Sequence, residues 1–528
     1  MWERLKLFLN PFDARYEEMT RDTWRWVVWR DVSAGLIVAM MAIPMAMGFA
    51  IAAGLRPEHG IVAGAIAGVV GGLFGGSKYN TYGPVAALIP VVAGLMATYA
   101  TPEDPYAGHG FMVLICMGSG LIMMLVGLLG WGKFGNLVPH SIVVGFSVGI
   151  AVVIGLTQLG EVLGLKATVR GSFLSMLQII GENLSQFSWV ALFLAGLTFL
   201  ITRYLLKLSI YIPAPLIAIG VTTVLSATVF SNSAGFKLTD TSLEAMRAEK
   251  VPEEVVSNLI ALKNKEFRTQ KLFVSELATV LTKDELRIFQ NAAVNHSNLG
   301  LTLINTKYGA IPTDFLMVSE PTLPSWDLTT LCLLGFYSLA FAFVCGFEGV
   351  LCARMADRMA DNNGTPYNPD KEFWGQGLVQ LLVPLLHGMP LSGALARTAT
   401  KVQVGGMTPL AEILKSILKL LLVYFLASYL EMIPMACIGG ILLWVSFNMV
   451  KPVEIKKIWN GNWFHAFLMI YTSITVIVFG FLGGVVSAMV IWGVLHQFLD
   501  KPTAELSQAD EFSPTTEGAD EDAVLKTK

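Results

Sequence analysis

Charge is what this 528-residue chain has least of. Asp, Glu, Lys and Arg make up 14% of it, against roughly 25% in soluble domains. That shortage excludes an ordinary water-facing surface over most of the chain. The 36 Lys and Arg nearly balance the 39 Asp and Glu, for a formal net charge of −3, so no basic excess exists to hold nucleic acid. Cysteine is scarce too. Cys116, Cys332, Cys345, Cys352 and Cys437 lie in apolar surroundings with no Cys-x-x-Cys pair, which excludes a disulfide framework and a thiolate zinc site. His140, His387, His465 and His496 are scattered without metal-ligand spacing, so no metal and no cofactor are expected. No Ser/His/Asp constellation or pair of catalytic carboxylates stands out, and no enzyme activity is expected. Residues 71–78 look faintly like a phosphate loop, but the Gly-Lys-Ser/Thr order is missing. No early apolar core follows Met1-Trp2-Glu3-Arg4, so a cleaved signal peptide is not expected.

What the chain does have is long apolar runs. It is 54% hydrophobic, with a mean hydropathy of +0.61. Runs of spanning length or near it fall at about 32–53, 60–76, 84–100, 110–131, 138–164, 185–205, 212–231, 328–352, 373–388, 390–403, 410–430, 434–450, 464–482 and 483–499. Backbone exposed to hydrocarbon must be satisfied internally, so these runs predict helices, broken only where they line a cavity. The expected fold is an all-α polytopic membrane protein of the inner or plasma membrane.

The basic residues set the expected orientation. With both termini cytoplasmic, inside loops receive Lys78, Lys133, Arg203, Lys207, Arg354, Arg358, Lys371, Lys451, Lys456 and Lys457, while short outside loops receive Arg56, Lys166 and Arg170. Five regions follow. Residues 1–30 read as a cytoplasmic amphipathic segment, a surface helix carrying Trp24, Trp26 and Trp29. Residues 31–231 and 327–500 are two transmembrane halves. Residues 232–326 form a hydrophilic extracytoplasmic insertion of two to four helices, with starts at Pro252-Glu253-Glu254 and at Thr282-Lys283-Asp284-Glu285. Residues 501–528 are a short acidic cytoplasmic tail, expected to be disordered.

One segment in each half is broken. The first opens with Tyr82-Gly83-Pro84-Val85-Ala86-Ala87, the second with Met389-Pro390-Leu391-Ser392-Gly393-Ala394-Leu395-Ala396-Arg397-Thr398. Proline is tolerated in the first turn of a helix, where the N–H lacks a partner anyway, so each proline is read as a helix start. Interrupted segments at corresponding places in two halves point to a transporter's binding site. A helix that starts inside the membrane turns free N–H groups and a partial positive charge toward what lies beyond it, which favours an anion. Arg397 lies two turns past the second start. An Arg at membrane depth is costly and is either functional or a snorkelling or paired structural charge. Glu348 is a lone carboxylate among some twenty apolar residues, suited to carrying a proton or binding Na⁺, or else to pairing with Arg397. Gly64, Gly68, Gly72 and Gly76 recur every fourth residue as a face for close helix approach. Gln158 and Glu161 are read as polar links between helices.

These residues resemble the SulP anion permease family. The resemblance runs through Asp31-Val32-Ser33-Ala34-Gly35-Leu36, Ile43-Pro44-Met45-Ala46-Met47-Gly48-Phe49-Ala50, Tyr82-Gly83-Pro84, Gly145-Phe146-Ser147-Val148-Gly149 with Gln158, and Ile212-Pro213-Ala214-Pro215-Leu216. It continues in Phe347-Glu348, Gly388-Met389-Pro390-Leu391-Ser392-Gly393-Ala394 with Arg397-Thr398, and Gly405-Gly406-Met407-Thr408. It implies fourteen transmembrane segments in seven-plus-seven inverted repeats, a core and a gate domain, and two half-helices at the substrate site. It also implies an anion held by Met45, Phe49, Tyr82, Gly83, Pro84, Val85, Ala86, Gly393, Ala394, Leu395, Ala396 and Arg397, with Glu348 coupling the step. Elevator-like motion and a homodimer come with it. Three departures are visible. The STAS domain usual in the family is not expected after the last run, the insertion is unusually long, and Met45 stands where many sulfate-type members carry Gln.

The sequence therefore predicts a secondary active transporter of a small inorganic anion, sulfate or bicarbonate, coupled to H⁺ or Na⁺. An anion channel or exchanger, and a dicarboxylate or nucleobase permease on the same fold, are the alternatives.

Overall fold

A computed structural model describes residues 2–101, 104, 106–133, 139–165, 167–230, 301–312, 317–362 and 364–499. The apolar runs are helical. In chain order these are α1 (Trp2–Leu9), α2 (Trp24–Ala52), α3 (Pro57–Phe74), α4 (Ile89–Tyr99), α5 (His109–Leu129), α6 (His140–Leu163), α7 (Phe173–Asn183), α8 (Trp189–Leu208) and α9 (Ala214–Thr228). They continue with α10 (Ile304–Tyr308), α11 (Leu328–Met359), α12 (Pro369–Leu385), α13 (Leu395–Gln403), α14 (Leu410–Leu430), α15 (Met435–Met449), α16 (Pro452–Trp459) and α17 (Trp463–Leu499). Among the described residues, eight helices are long and apolar enough to cross a membrane. The protein is an integral, multi-pass membrane protein.

Local chemistry sets the helix ends. Ser188, Asp327 and Asn368 accept from backbone N–H groups three residues on and start α8, α11 and α12. Gly130 and Gly164, both at positive φ, close α5 and α6. Gly480, at φ +81°, kinks α17 into two helical pieces, which is why two apolar runs are legible there.

The helices sort into two bundles by what they touch. In the first, α12 packs on α5, α3 and α11, and α14 packs on α2 and α3. In the second, α6 packs on α17, α15 and α8, and α8 on α9. The bundles meet along α2 and α4.

The glycine stripe of α3 lies in the first bundle and has the packing role expected of it. A Cβ at Gly68 would overlap Ser416 Oγ and Glu412, and one at Gly72 would press on Ile413. Glu161 does link elements, through an ion pair with Lys307 at 2.6 Å. Leu303 forms an isolated antiparallel bridge with Pro434, so the chain leading back from the insertion is pinned to the α14–α15 turn. The expected helices at Pro252 and Thr282, and the tail at 501–528, lie outside the described residues.

The N-terminal segment differs from the single surface helix expected. It is α1, a 3-10 turn at Ala14–Tyr16, and then residues 24–30 as the first turns of α2. Pro11 lacks an N–H and ends α1, and Asp13 caps the turn through the Arg15 N–H at 3.1 Å. The segment docks into the first bundle. Buried Arg15 donates to Gly72 O (3.1 Å) and Leu73 O (2.8 Å) at the end of α3, where a cation meets unpaired carbonyls and the negative end of the helix dipole. Lys78 pairs with Glu17 and Glu18 at 2.5 and 2.7 Å, and Lys371 with Asp13 at 2.6 Å.

Candidate anion site

The two broken segments meet at the centre of the first bundle. Strand β1 (Tyr82–Gly83) pairs antiparallel with β2 (Ser392–Gly393), Tyr82 opposite Gly393 and Gly83 opposite Ser392. Extended backbone at membrane depth is tolerated here because it is buried in protein and bonds to itself. The Ala394 N–H adds a bond to Thr81 O at 2.7 Å, and Thr398 Oγ1 accepts the Thr81 N–H at 3.0 Å.

The helix starts are shifted from where the prolines placed them. In the first half, Val85 is still extended, a 3-10 turn begins at Ala86, and α4 follows with Pro90 in its first turn. In the second half, Pro390 precedes the strand, and α13 begins at Leu395. Strand pairing holds Gly83, beside Pro84, and Ser392, two residues past Pro390, extended, and the residue before a proline is biased that way in any case. Helix forms only where each chain leaves the pair. Arg397, expected two turns in, therefore lies in the first turn of α13.

Neither half-helix has a side-chain cap at its start, so both keep first-turn N–H groups open to a ligand. Arg397 is 3% exposed. Its Nη2 donates to Pro84 O, while its buried Nη1 has no partner. A Cβ on Gly83 would run into this guanidinium. Glu348 comes from α11, on the face that carries Cys345 and Cys352. The Cys345 carbonyl accepts from Ser392 Oγ at 2.8 Å, and Cys352 Sγ donates to Gly393 O at 3.1 Å. Glu348 thus stands over β2, and its buried Oε2 also has no partner. The charged side chain that bears on it is Arg397.

The remaining expected residues divide. Met45, Phe49, Tyr82, Val85, Ala86 and Ala394 belong to one buried apolar cluster, and Gly83, Pro84 and Gly393 are buried within the strand pair. Leu395 is half-buried and Ala396 exposed, so the first turn of α13 is open on one side. The Tyr82 side chain turns away from the opening. Its hydroxyl donates to Glu372 Oε1 at 2.7 Å, and its ring fills the space over Gly71 and Gly75.

A layer of buried charge behind the strand pair was missed in the sequence. Glu412 accepts the Tyr82 N–H at 3.0 Å and pairs with Lys415, which donates to Tyr82 O at 3.1 Å. Lys419 reaches Gly60 O at 3.3 Å, and Lys401 reaches Lys78 O at 3.0 Å. Glu412, Lys415 and Lys419 recur at helical spacing on α14, which marks one polar face inside an apolar run. The histidine expectation also needs correction. His387 is not isolated, because the fold brings it to His59 and His109.

The Sulfate permease family profile matches residues 28–472. The chain belongs to that family. With the family come anion transport and the absence of an enzyme's role. YvdB of Bacillus subtilis, whose name assigns it sulfate transport provisionally, is 28% identical over 464 residues, 88% of this chain and 72% of YvdB. The bicarbonate transporter BicA of Picosynechococcus sp. is 25% identical over 433 residues, 81% of this chain and 62% of BicA. In structure, the chain resembles the transmembrane domain of a cyanobacterial bicarbonate transporter, with a TM-score of 0.66 at 21% identity, over 91% of this chain and all of the other. It also resembles the murine Solute Carrier 26 family member A9 anion transporter in its inward-facing state, with a TM-score of 0.66 at 16% identity, covering 89% and 68% of the two chains. Both likenesses are of fold.

Proposed function

We propose that this family member is a secondary active transporter of a small inorganic oxyanion, sulfate or bicarbonate, held between the starts of the two half-helices. The observation that carries the reading is the Arg397 guanidinium. It is buried, bonded to Pro84 O on one side, and left with a free Nη1 beside two uncapped helix starts. A buried unpaired donor calls for a partner, and an oxyanion is a fitting one. Ala394, Leu395 and Ala396 offer no polar side chain, so recognition rests on backbone N–H groups and the one fixed charge. That set suits a compact anion better than a nucleobase.

Glu348 is the coupling group in this reading, taking up H⁺ or Na⁺ as the anion binds. The fourteen apolar runs form two inverted repeats of seven, consistent with the antiparallel crossing of β1 and β2. The first bundle carries the site and moves against the second in an elevator-like step. Both termini are cytoplasmic, and the functional unit is a homodimer.

The test is uptake into proteoliposomes holding the purified full chain, with radiolabelled sulfate and bicarbonate under imposed H⁺ or Na⁺ gradients. Saturable uptake of one anion, accelerated by one gradient, is expected. No saturable uptake of either anion overturns the reading, and single-channel currents in its place make the protein a channel.

A further inference from the structure

The three histidines lie at the end of the first bundle opposite the docked N-terminal segment. His59 is in the first turn of α3, His109 starts α5, and His387 follows the end of α12. Their ring centroids are 4.8 Å apart for His59–His109, 4.2 Å for His59–His387 and 5.4 Å for His109–His387. One ligand nitrogen from each lies within 4.8 Å of the others.

We infer that His59, His109 and His387 form a binding site for a single transition-metal cation of the Zn²⁺ class, which fastens the lead-in of the second half-helix to α3 and α5.

The ring nitrogens are arranged as ligands rather than as packing. His59 is 3% exposed, and its Nδ1 has no hydrogen-bond partner. His109 Nε2 is buried and also without one. An orphaned buried polar atom is destabilising, so three imidazoles are a poor choice for filling apolar space. His387 has its Nδ1 held by Ser319 Oγ at 2.9 Å, and the Ser319 N–H is fixed on Leu385 O at 2.8 Å. Such a bond orients a metal-binding imidazole and leaves Nε2 for the ion. The backbone at His387 is unusual as well. It has φ +63°, and the Gly388 N–H closes on Val383 O at 2.9 Å, the wrap in which glycine is the usual residue at this left-handed position. A histidine there sets its ring against His59 at the expense of backbone ease.

A zinc ion takes imidazole nitrogens at about 2.0–2.1 Å, so three ligands would close to nitrogen separations of about 3.3 Å. Three protein ligands leave a fourth position for water or a small anion. Nearby charge is already paired, with Arg56 Nε on Glu58 Oε1 at 2.6 Å.

The consequence for the fold is local. The Met389 N–H bonds to His59 O at 3.3 Å, and Met389-Pro390-Leu391 leads straight into β2. A metal on His387 would stiffen that lead-in, which carries Gly393 and the start of α13.

The test uses the untagged full chain in detergent, titrated with CoCl₂ and then with ZnCl₂. One equivalent of Co²⁺ with the visible absorption of a tetrahedral imidazole complex is expected, displaced by Zn²⁺, together with a Zn²⁺-dependent rise in thermal midpoint. His59→Gln and His387→Asn, the second keeping a residue that tolerates left-handed backbone, should each lose the saturable binding and the thermal rise. Ser319→Ala keeps all three rings and should weaken binding less. Absence of saturable binding, or binding unchanged in both histidine variants, overturns the site. The readout does not depend on anion transport, so it stands or falls apart from the transport reading.

Discussion

Arg397 donates to the carbonyl of Pro84, 313 positions away in the chain, and so ties the first turn of one half-helix to the strand that leads into the other. The guanidinium does two jobs with one group. Nη2 holds the two halves together, and Nη1 stays buried against Gly83 without a partner. Arg397→Lys keeps the charge but loses the planar fork. It should raise the KM for anion uptake by about 10- to 100-fold, the worth of a hydrogen bond to a charged group. Concentration-dependent uptake at equal protein load checks this, and an unchanged KM would remove Arg397 from the site.

Gly83 faces the same guanidinium from the paired strand. A methyl group there would meet Arg397 rather than empty space. Gly83→Ala is expected to abolish transport while leaving the elution profile in detergent unaltered, because displacement of one side chain suffices to relieve the clash. Gly68→Ala is the contrast. Its Cβ would meet Ser416 and Glu412 between two packed helices, so it should lower the thermal midpoint before it changes substrate affinity.

Much of this frame is legible in the sequence, for a physical reason. Hydropathy marks membrane helices one by one, because each must hide its own backbone. The broken segments also declare themselves, since Pro84 and Pro390 each sit among small residues where a new helix can start. What hydropathy does not show is pairing. The strand register that shifts both helix starts to Ala86 and Leu395 depends on contacts between the halves. The charges at Glu412, Lys415 and Lys419 are hidden for a similar reason. The rest of α14 is apolar enough to mask them, although their spacing and the small face of α3 opposite were both in view. His59, His109 and His387 come from three separate elements, so no local spacing could announce them.

Glu348 separates coupling from binding. Glu348→Gln keeps shape and removes the ionisable group. Gradient-driven uptake should fall more than tenfold, while anion exchange across the same liposomes, which needs no net cation movement, is retained in part. Unaltered gradient-driven uptake would show that coupling lies elsewhere.

The Glu412–Lys415 pair supports β1 from behind, where both side chains are almost fully buried. Removing one partner of a buried pair leaves an uncompensated charge, at about 3–5 kcal/mol. Glu412→Gln and Lys415→Met should therefore each destabilise the detergent-solubilised protein strongly. The double variant should be less damaged than the sum of the two, because neither charge is then stranded. Thermal unfolding of all four proteins gives the coupling, and strict additivity would mean that the pair does not act as a unit.

Asp13 makes the docking of the N-terminal segment sensitive to pH. Burial pushes its carboxyl up, but the Lys371 ammonium and the Arg15 guanidinium outweigh burial and hold it below the usual carboxylate range. A group whose pKa is depressed in the folded state stabilises that state above its unfolded pKa, about 3.9 for Asp. The contribution is lost as pH falls through the lower folded value. Docking should therefore be complete at neutral pH and weaken only in strong acid. Asp13→Asn removes the ion pairs at every pH, at a cost of about 1–2 kcal/mol. Limited proteolysis of the first twenty-odd residues reads this directly. Faster cleavage in the variant at neutral pH is expected, with the difference from the parent protein shrinking below about pH 4. Equal cleavage rates at neutral pH would mean that the Asp13–Lys371 contact does not hold the segment in place.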